Sequence, residues 1–141
     1  MTLKEKISKY IINNQSKIKI NSKDVKKNDV FIALKGKKYH GNKFIEDAFV
    51  AGAKYCITDK EYNKSSIKKN VLYLNNVFSF LKALSIQKRS LFSGEVIGIT
   101  GSAGKTSLKE YLKFFLEKKY KISASIKSYN NDLGVMISIL N

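Results

Sequence analysis

A glycine-rich segment, VIGITGSAGKTS over residues 96–107, contains the residue types that bind phosphate groups. Glycines at 101 and 104 allow the backbone to turn and approach a ligand closely, and the N–H groups that open the following helix can donate to phosphate oxygens. Lys105 can reach the β- and γ-phosphates, and the Thr106 hydroxyl can ligate Mg²⁺, so these two are the candidate catalytic residues. The residues of this candidate nucleotide site are Gly101, Ser102, Ala103, Gly104, Lys105, Thr106 and Ser107.

The segment departs at one position from the general pattern G-x-x-x-x-G-K-[ST], because Ile99 stands where that pattern has its first glycine. The sequence predicts a strand over 95–100 and an amphipathic helix over 105–119. This strand–loop–helix order, with GKT intact, favours a phosphate-binding loop over a chance glycine-rich turn.

The acidic residues that follow the loop do not complete a phosphoryl-transfer site. Such a site needs a second metal ligand and a group that orients the nucleophile. Glu110, Glu117 and Asp132 are the only acids there, and none ends an apolar strand. We therefore expect these 141 residues to be the N-terminal part of a longer enzyme and to be inactive alone.

The elements that would position the loop alternate between helix and strand, which predicts an α/β fold. Thr2 and Glu5 have capping-box spacing, and Gly52 is a candidate helix C-cap. A break at Ser93-Gly94 divides the chain into domains 1–92 and 93–141. The predicted helices are 2–13, 44–51, 77–91, 105–119 and 132–140, and the predicted strands are 17–20, 29–34, 54–58, 71–74, 95–100 and 121–125.

The composition excludes several classes of protein. A hydrophobic content of 43% argues against intrinsic disorder despite the net charge of +16. No apolar run reaches the ~18 residues of a membrane span, and the N-terminus lacks a secretory signal, so we expect a cytoplasmic protein. Cys56, the single cysteine, rules out an internal disulfide and a cysteine-based zinc site.

The strong positive charge leaves open a second class of function, a non-catalytic basic module that binds nucleotides or nucleic acid. Arg89 is the only arginine among 27 basic residues, and the lysines are spread along the chain. Because nucleic-acid readers favour arginine, the pattern favours a solvated lysine surface and no nucleic-acid partner.

Five further residues are given structural rather than chemical interpretations. We expect His40, the only histidine, to be a solvated loop residue, and Cys56 to be a small buried apolar residue. Tyr111, Phe114 and Phe115 recur at helical spacing beside lysines, which predicts the core-facing side of a helix rather than a base-stacking surface.

Two separated blocks of sequence resemble the ATP-dependent Mur ligases. TGSAGKTSLKEYL and the later SYNNDLGVMISIL resemble the family's central domain, and INSKDVKKNDVFIALKGKKYHGNKFIEDAFVAGAKYCIT resembles its first domain. The chain is most similar to the branch that adds D-alanyl-D-alanine, the MurF ligases, because Asn130-Asn131 precede Leu133-Gly134.

The resemblance implies an N-terminal α/β domain that holds a UDP-sugar, followed by the first strand, P-loop, helix and strand of a central ATPase domain. It implies transfer of the γ-phosphoryl of ATP, with Mg²⁺, to the peptide carboxylate of UDP-N-acetylmuramoyl-tripeptide. The acyl phosphate is then attacked by the amine of D-alanyl-D-alanine. It also implies that Asn130 and Asn131 face the muramoyl peptide, and that Ser22, Lys23, Lys35 and Gly36 lie near the UDP-sugar. We expect a monomer with small-molecule substrates.

The chain departs from the family pattern in both blocks. The family's D-S-R is Asn21-Ser22-Lys23 here, its D-G-H is His40-Gly41-Asn42, its G-N-x-N-N is Lys127–Asn131, and its proline after G-V is Met136. A sister amino-acid ligase, of the MurE or folylpolyglutamate-synthase type, is therefore an alternative enzyme.

Overall fold

The computed structural model describes residues 1–13, 17–36, 38–63, 68–125 and 131–141. Helices and strands alternate through the first part of these residues, as the sequence predicts. The helices are α1 (Leu3–Asn13), α2 (Ile45–Val50), α3 (Val77–Ser90), α4 (Lys105–Leu116) and α5 (Asp132–Leu140), and the strands are β1 (Ile18–Lys19), β2 (Val30–Ala33), β3 (Tyr55–Thr58) and β4 (Val71–Tyr73).

The strands form one parallel sheet in the order β1-β2-β3-β4. In the central register Phe31 lies beside Cys56, and Cys56 lies beside Val71. All residues of β2 are buried, as is typical of a parallel strand covered on both faces. The carboxyl ends of the four strands therefore lie along one edge of the sheet.

Each face of the sheet has its own hydrophobic core, because successive side chains of a strand point to opposite faces. Val30 and Ile32 of β2 belong to a core with residues of α1, α3 and α5. Phe31 and Ala33 belong to a second core with residues of α2. The α/β prediction for this region is confirmed.

Two local predictions are also confirmed. Thr2 and Glu5 form the capping box, since the Glu5 backbone N–H donates to Thr2 Oγ1 (3.2 Å) and the Thr2 N–H donates to Glu5 Oε2 (2.9 Å). Cys56 is fully buried, and its burial raises the pKa of the thiol to about 12. The cysteine is therefore a neutral packing residue at physiological pH.

The strand predictions on either side of the glycine-rich loop are wrong. Residues 95–100 and 121–125 are not assigned as strands, and Val96 and Ile97 are each 58% exposed. A strand needs a hydrogen-bonded neighbour, and neither segment pairs with another among the described residues. The apolar residues in these two segments therefore do not belong to any paired strand.

The predicted core face of α4 is also wrong. The helix forms as predicted, but none of its residues is buried, and Phe115 is 62% exposed. Tyr111 and Phe114 are similarly exposed, and Lys118 Nζ lies 4.7 Å from the centre of the Phe114 ring. Within the described residues, nothing covers this apolar side, because the adjacent sheet predicted from 95–100 and 121–125 is not formed.

Helix α5 packs against the N-terminal sheet region rather than beside the glycine-rich loop. Met136, Ile137 and Leu140 join the core that includes α1 and α3. The Asn141 amide accepts from the Ile18 N–H (2.5 Å) and donates to the Ile18 carbonyl (3.3 Å), which fastens the helix end to the edge strand β1. Lys88 Nζ donates to the Leu140 carbonyl, and burial lowers the pKa of this ammonium.

A search of the helices among the described residues found none with the length and apolar character needed to cross a membrane.

Candidate functional site

The sheet edge where the strands end carries four of the sequence-predicted site residues. Ser22 and Lys23 lie in a 3-10 turn, Ser22–Asp24, that follows β1. The Asn21 side chain caps this turn by accepting from the Lys23 N–H (3.1 Å). Lys35 and Gly36 come directly after β2, the neighbour of β1. Since ligands of open parallel sheets bind outside the carboxyl ends of the strands, this is a credible binding edge.

A cavity of about 260 Å³ lies at this edge, between the loops that follow β2, β3 and β4. Lys35 is the one sequence-predicted site residue that lines it. Ser22, Lys23 and Gly36 are not among its lining residues. The wall consists of Leu34, Lys35, Asp59, Asn75, Asn76, Val77 and Phe78.

The loop after β2 is folded back on itself and carries Lys35 at its base. Lys35 and His40 form an isolated antiparallel bridge. The Gly36 N–H donates to the Tyr39 carbonyl (2.9 Å), and the Gly41 N–H donates to the Leu34 carbonyl (2.9 Å). The backbone is therefore held on both sides of the turn.

Gly41 allows this loop to approach the sheet closely. A Cβ on Gly41 would lie 2.7 Å from Ala33 Cα, which is closer than side-chain carbons approach a backbone. The next residue, Asn42, accepts from the fully buried Thr58 hydroxyl (2.5 Å) and donates to the Lys60 carbonyl (3.0 Å). The segment His40–Asn42 is thus a packing motif at the end of β3.

His40 is not the solvated loop residue that the sequence predicts. Its Nε2 lies 2.8 Å from Asp59 Oδ1, and its side chain is 20% exposed. Its Nδ1 accepts from the Asn42 N–H (3.1 Å). Because a ring nitrogen that accepts carries no proton, this network assigns the proton to Nε2, which donates to Asp59.

The glycine-rich loop leads directly into α4, although the strands predicted on either side of the loop and helix are not formed. Gly104 is the N-cap of α4 with a φ of 76°, in the left-handed region that favours glycine. No side chain caps this helix, so the N–H groups of its first turn remain directed outward. Lys105 Nζ donates to the Gly101 carbonyl and lies 3.5 Å from the Ser102 carbonyl. The ammonium is therefore folded over the loop, beside the N-terminus of α4.

One of the two predicted asparagines, Asn131, lies at the start of α5. Asn131 is the helix N-cap and accepts from the Gly134 N–H (2.8 Å). Asn130 lies outside the described residues. The Asn131 oxygen thus has a structural partner in the helix that it caps. The described residues contain no group of three or more histidine, cysteine or acidic side chains able to hold a metal ion.

Comparison with protein families shows which family the chain belongs to. A family model described as "Mur ligase family, catalytic domain" matches residues 15–91, which is more than half of the sequence. The chain belongs to the Mur ligase family. The match covers the sheet region and the carboxyl-edge loops described above.

Individual Mur ligases from several bacteria resemble the chain over most of its length. The UDP-N-acetylmuramoyl-tripeptide--D-alanyl-D-alanine ligase of Rickettsia prowazekii is 40% identical over 89% of the chain, which corresponds to 28% of that protein. The UDP-N-acetylmuramoyl-L-alanyl-D-glutamate--2,6-diaminopimelate ligase of Clostridium tetani is 32% identical over 94% of the chain and 30% of that protein. The chain spans less than a third of the length of these Mur ligases.

Solved Mur ligase structures share the fold. MurF ligase of Thermotoga maritima, solved in complex with ADP, superposes with a TM-score of 0.71 and 33% identity over 94% of this chain and 30% of that chain. MurF of Acinetobacter baumannii superposes with a TM-score of 0.73 at 24% identity over 96% of this chain and 32% of that chain, a likeness of fold.

Sequence reasoning missed several cavity residues of this Mur ligase chain. Asp59, Asn75 and Asn76 are polar residues that follow β3 and β4 directly. Their position at the ends of two predicted strands was the available signal, because all carboxyl ends of a parallel sheet meet at one edge.

Proposed function

We propose that this chain provides the UDP-sugar site and the ATP-binding loop of a ligase that joins D-alanyl-D-alanine to UDP-N-acetylmuramoyl-tripeptide. The relative from Rickettsia prowazekii carries the name of this activity. The observation that carries the proposal is the occurrence, in one Mur ligase chain, of a cavity with polar and apolar lining at the sheet edge and a glycine loop at a helix N-terminus. In the proposal, these two features bind two different phosphate-bearing ligands.

The loop residues fit a nucleotide triphosphate. The left-handed Gly104 and the uncapped first turn of α4 leave backbone donors available to phosphate oxygens. Lys105 lies beside this helix end, where its positive charge would offset the negative charge of the β- and γ-phosphates. Thr106 is exposed in the first turn and would ligate Mg²⁺ through its hydroxyl. The remaining residues of the loop, 101–103 and 107, would surround the phosphates.

The cavity at the sheet edge fits the UDP-sugar. Lys35 places a cation on its wall, and Asn75 and Asn76 add amides that can donate to or accept from a sugar or a uracil. Ser22, Lys23 and Gly36 lie on the same edge, beside β1 and β2. Asn130 and Asn131 would contact the muramoyl peptide, with Asn131 fixed by its capping bond.

In the proposed reaction, the chain's own residues bind and orient the two phosphate-bearing substrates. Bound Mg²⁺ would offset negative charge on the phosphate oxygens. Lys105 and the α4 N–H groups would stabilise the charge that develops as the γ-phosphoryl group passes to the peptide carboxylate. That transfer would release ADP. The amine of D-alanyl-D-alanine would then attack the acyl carbon and lose a proton, and the C–O bond to the phosphoryl group would break, giving the amide and inorganic phosphate. Residues 1–92 would be the UDP-sugar domain and 93–141 the start of the ATPase domain, in a cytoplasmic monomer.

Titration with ADP tests the nucleotide site directly. We expect Lys105→Ala to weaken ADP binding at least about tenfold, because a charged hydrogen-bond donor is lost. Lys113→Ala, which removes the same charge from the exposed last turn of α4, is the matched control and should retain wild-type affinity. Equal affinities of wild type and Lys105→Ala would refute the phosphate role.

The resemblance to the Clostridium tetani enzyme supports a second candidate, a ligase that adds 2,6-diaminopimelate. The activities named for these two relatives differ in their muramoyl substrate, which carries a tripeptide in one case and L-alanyl-D-glutamate in the other. Competition between UDP-muramoyl-tripeptide and UDP-muramoyl-dipeptide for the chain separates them. Preference for the tripeptide supports the first candidate, and preference for the dipeptide supports the second.

A further inference from the structure

Two of the loops that line the cavity at the sheet edge are joined by a side-chain contact. Lys35, on the loop after β2, and Asp59, on the loop after β3, both line it. His40 stands opposite Lys35 in the antiparallel bridge and contacts Asp59 through its ring. The His40 side chain thus links the base of the Lys35 loop to the neighbouring loop, beside the bonds that Asn42 makes to Thr58 and Lys60.

The ring of His40 is fixed by two partners rather than one. Its Nδ1 accepts from the Asn42 N–H (3.1 Å), and its Nε2 lies 2.8 Å from Asp59 Oδ1. Both contacts can be made by a neutral imidazole, because one ring nitrogen accepts and the other donates. The arrangement positions the loop by geometry, and Lys35 is the cationic residue that lines the cavity.

We propose that His40 and Asp59 are positioning residues that hold Lys35 toward the diphosphate of the UDP-sugar. This inference rests on the proposed UDP-sugar site. Lys35 makes the contact with phosphate, whereas His40 and Asp59 act through the loop that carries it. Asp59 therefore aids the binding of an anion although it places a carboxylate on the cavity wall.

That last consequence gives a test in which two explanations predict opposite results. Removing a carboxylate beside an anion should tighten binding if Asp59 acts only through its charge. If Asp59 holds the Lys35 loop, Asp59→Ala should weaken UDP binding instead. The probe is UDP itself, titrated calorimetrically against the 141-residue chain, with uridine as the ligand that lacks phosphate.

We expect Asp59→Ala, His40→Ala and Lys35→Ala each to weaken UDP binding about tenfold while uridine binding changes little. His40→Gln, which keeps one donor and one acceptor, should recover most of the affinity. In the double variant of His40→Ala with Lys35→Ala, the loss should equal that of Lys35→Ala alone, because His40 acts through Lys35. Lys60→Ala is the control for loss of a positive charge near the site, because Lys60 lies in the loop after β3 but does not line the cavity.

Three results would overturn the proposal. They are tighter UDP binding by Asp59→Ala, unchanged UDP binding by His40→Ala, and a double variant whose loss of UDP affinity is the product of the two single losses. Thermal unfolding identifies any variant that fails to fold, and in that case His40→Gln and Lys35→Ala carry the comparison. Wild-type chain that binds ADP but not UDP would instead refute the UDP-sugar site, and with it the inference that depends on it.

Discussion

The two candidate ligand sites lie in regions that are packed very differently. The cavity at the sheet edge is built on strands whose two faces are covered by separate cores. The glycine loop precedes α4, a helix in which no residue is buried among the described part of the chain. The glycine loop depends on a few neighbouring residues, namely Gly104 and the first turn of α4. The cavity depends on the whole sheet, because the sheet aligns the three loops that line it.

This contrast predicts that the two sites respond to different substitutions. Changes to the core should disturb the loops at the sheet edge and leave the glycine loop intact. Changes at α4 should have the reverse effect. Each of the following predictions compares a position in one region with a similar position in the other.

Truncation of a buried leucine should give the largest effect. Leu140 of α5 is fully buried in the core with α1 and α3, whereas Leu108 of α4 is 48% exposed. We expect Leu140→Ala to lower the free energy of unfolding by about 2–5 kcal/mol and Leu108→Ala by about 0.5 kcal/mol or less. Urea denaturation followed by circular dichroism measures both. Equal losses would mean that α4 is as well packed as α5.

A methyl group added to a glycine should give the next largest effect. A Cβ at Gly41 meets the backbone of Ala33 at 2.7 Å, whereas a Cβ at Gly98 meets nothing within 4 Å. Gly41→Ala should therefore destabilise the chain by about 1–3 kcal/mol and also weaken UDP binding, because the Lys35 loop is displaced. Gly98→Ala should leave the unfolding midpoint unchanged. The opposite order of the two variants would contradict the close approach of the loop to β2.

Loss of the side-chain contact between α5 and β1 should have a smaller effect. The Asn141 amide makes two hydrogen bonds to the backbone of Ile18. Asn141→Ala should cost about 1 kcal/mol and should speed hydrogen exchange of the Ile18 amide. Exchange of the α4 amides should not change. Slow exchange at Ile18 in the variant would show that this contact does not hold the helix end.

Thiol labelling sharpens the comparison without altering stability greatly. Burial raises the pKa of Cys56 to about 12, so at neutral pH the native thiol should react only when the sheet region opens. A thiol introduced by Val96→Cys, in a Cys56→Ser background, should react at once because residue 96 is exposed. Fast alkylation of native Cys56 would contradict its burial.

The same pKa shift fixes the sign of a pH effect. The folded chain holds the thiol proton more tightly than the unfolded chain, whose pKa is near 9.0. The resulting stability is present below that pH and is lost as the pH rises toward 12. Wild type should therefore lose stability over this range more steeply than Cys56→Ser.

Much of the sheet region follows from the sequence because its signals are local. The all-apolar VFIA of β2 marks a buried parallel strand, and Thr2 with Glu5 marks the start of α1. The segments 95–100 and 121–125 mix apolar with polar residues, and they are not strands. Strand character depends on a neighbour, and residue type does not reveal whether a neighbour is present.

The candidate sites show the same limit. The loop at Gly104 and Lys105 is recognisable from sequence because its chemistry lies in consecutive residues. The link between His40 and Asp59 joins residues 19 positions apart, and only the sheet brings them together. No alternation or spacing rule relates these two positions. The sequence alone therefore predicts that His40 is a solvated residue.

The most direct test of two separate phosphate sites is a crossed binding measurement. Wild type, Lys105→Ala and Lys35→Ala are each titrated with ADP and with UDP. We predict that Lys105→Ala loses ADP binding and keeps UDP binding, and that Lys35→Ala loses UDP binding and keeps ADP binding. If either variant loses both ligands or neither, while remaining folded, the chain does not carry one nucleotide site in each region.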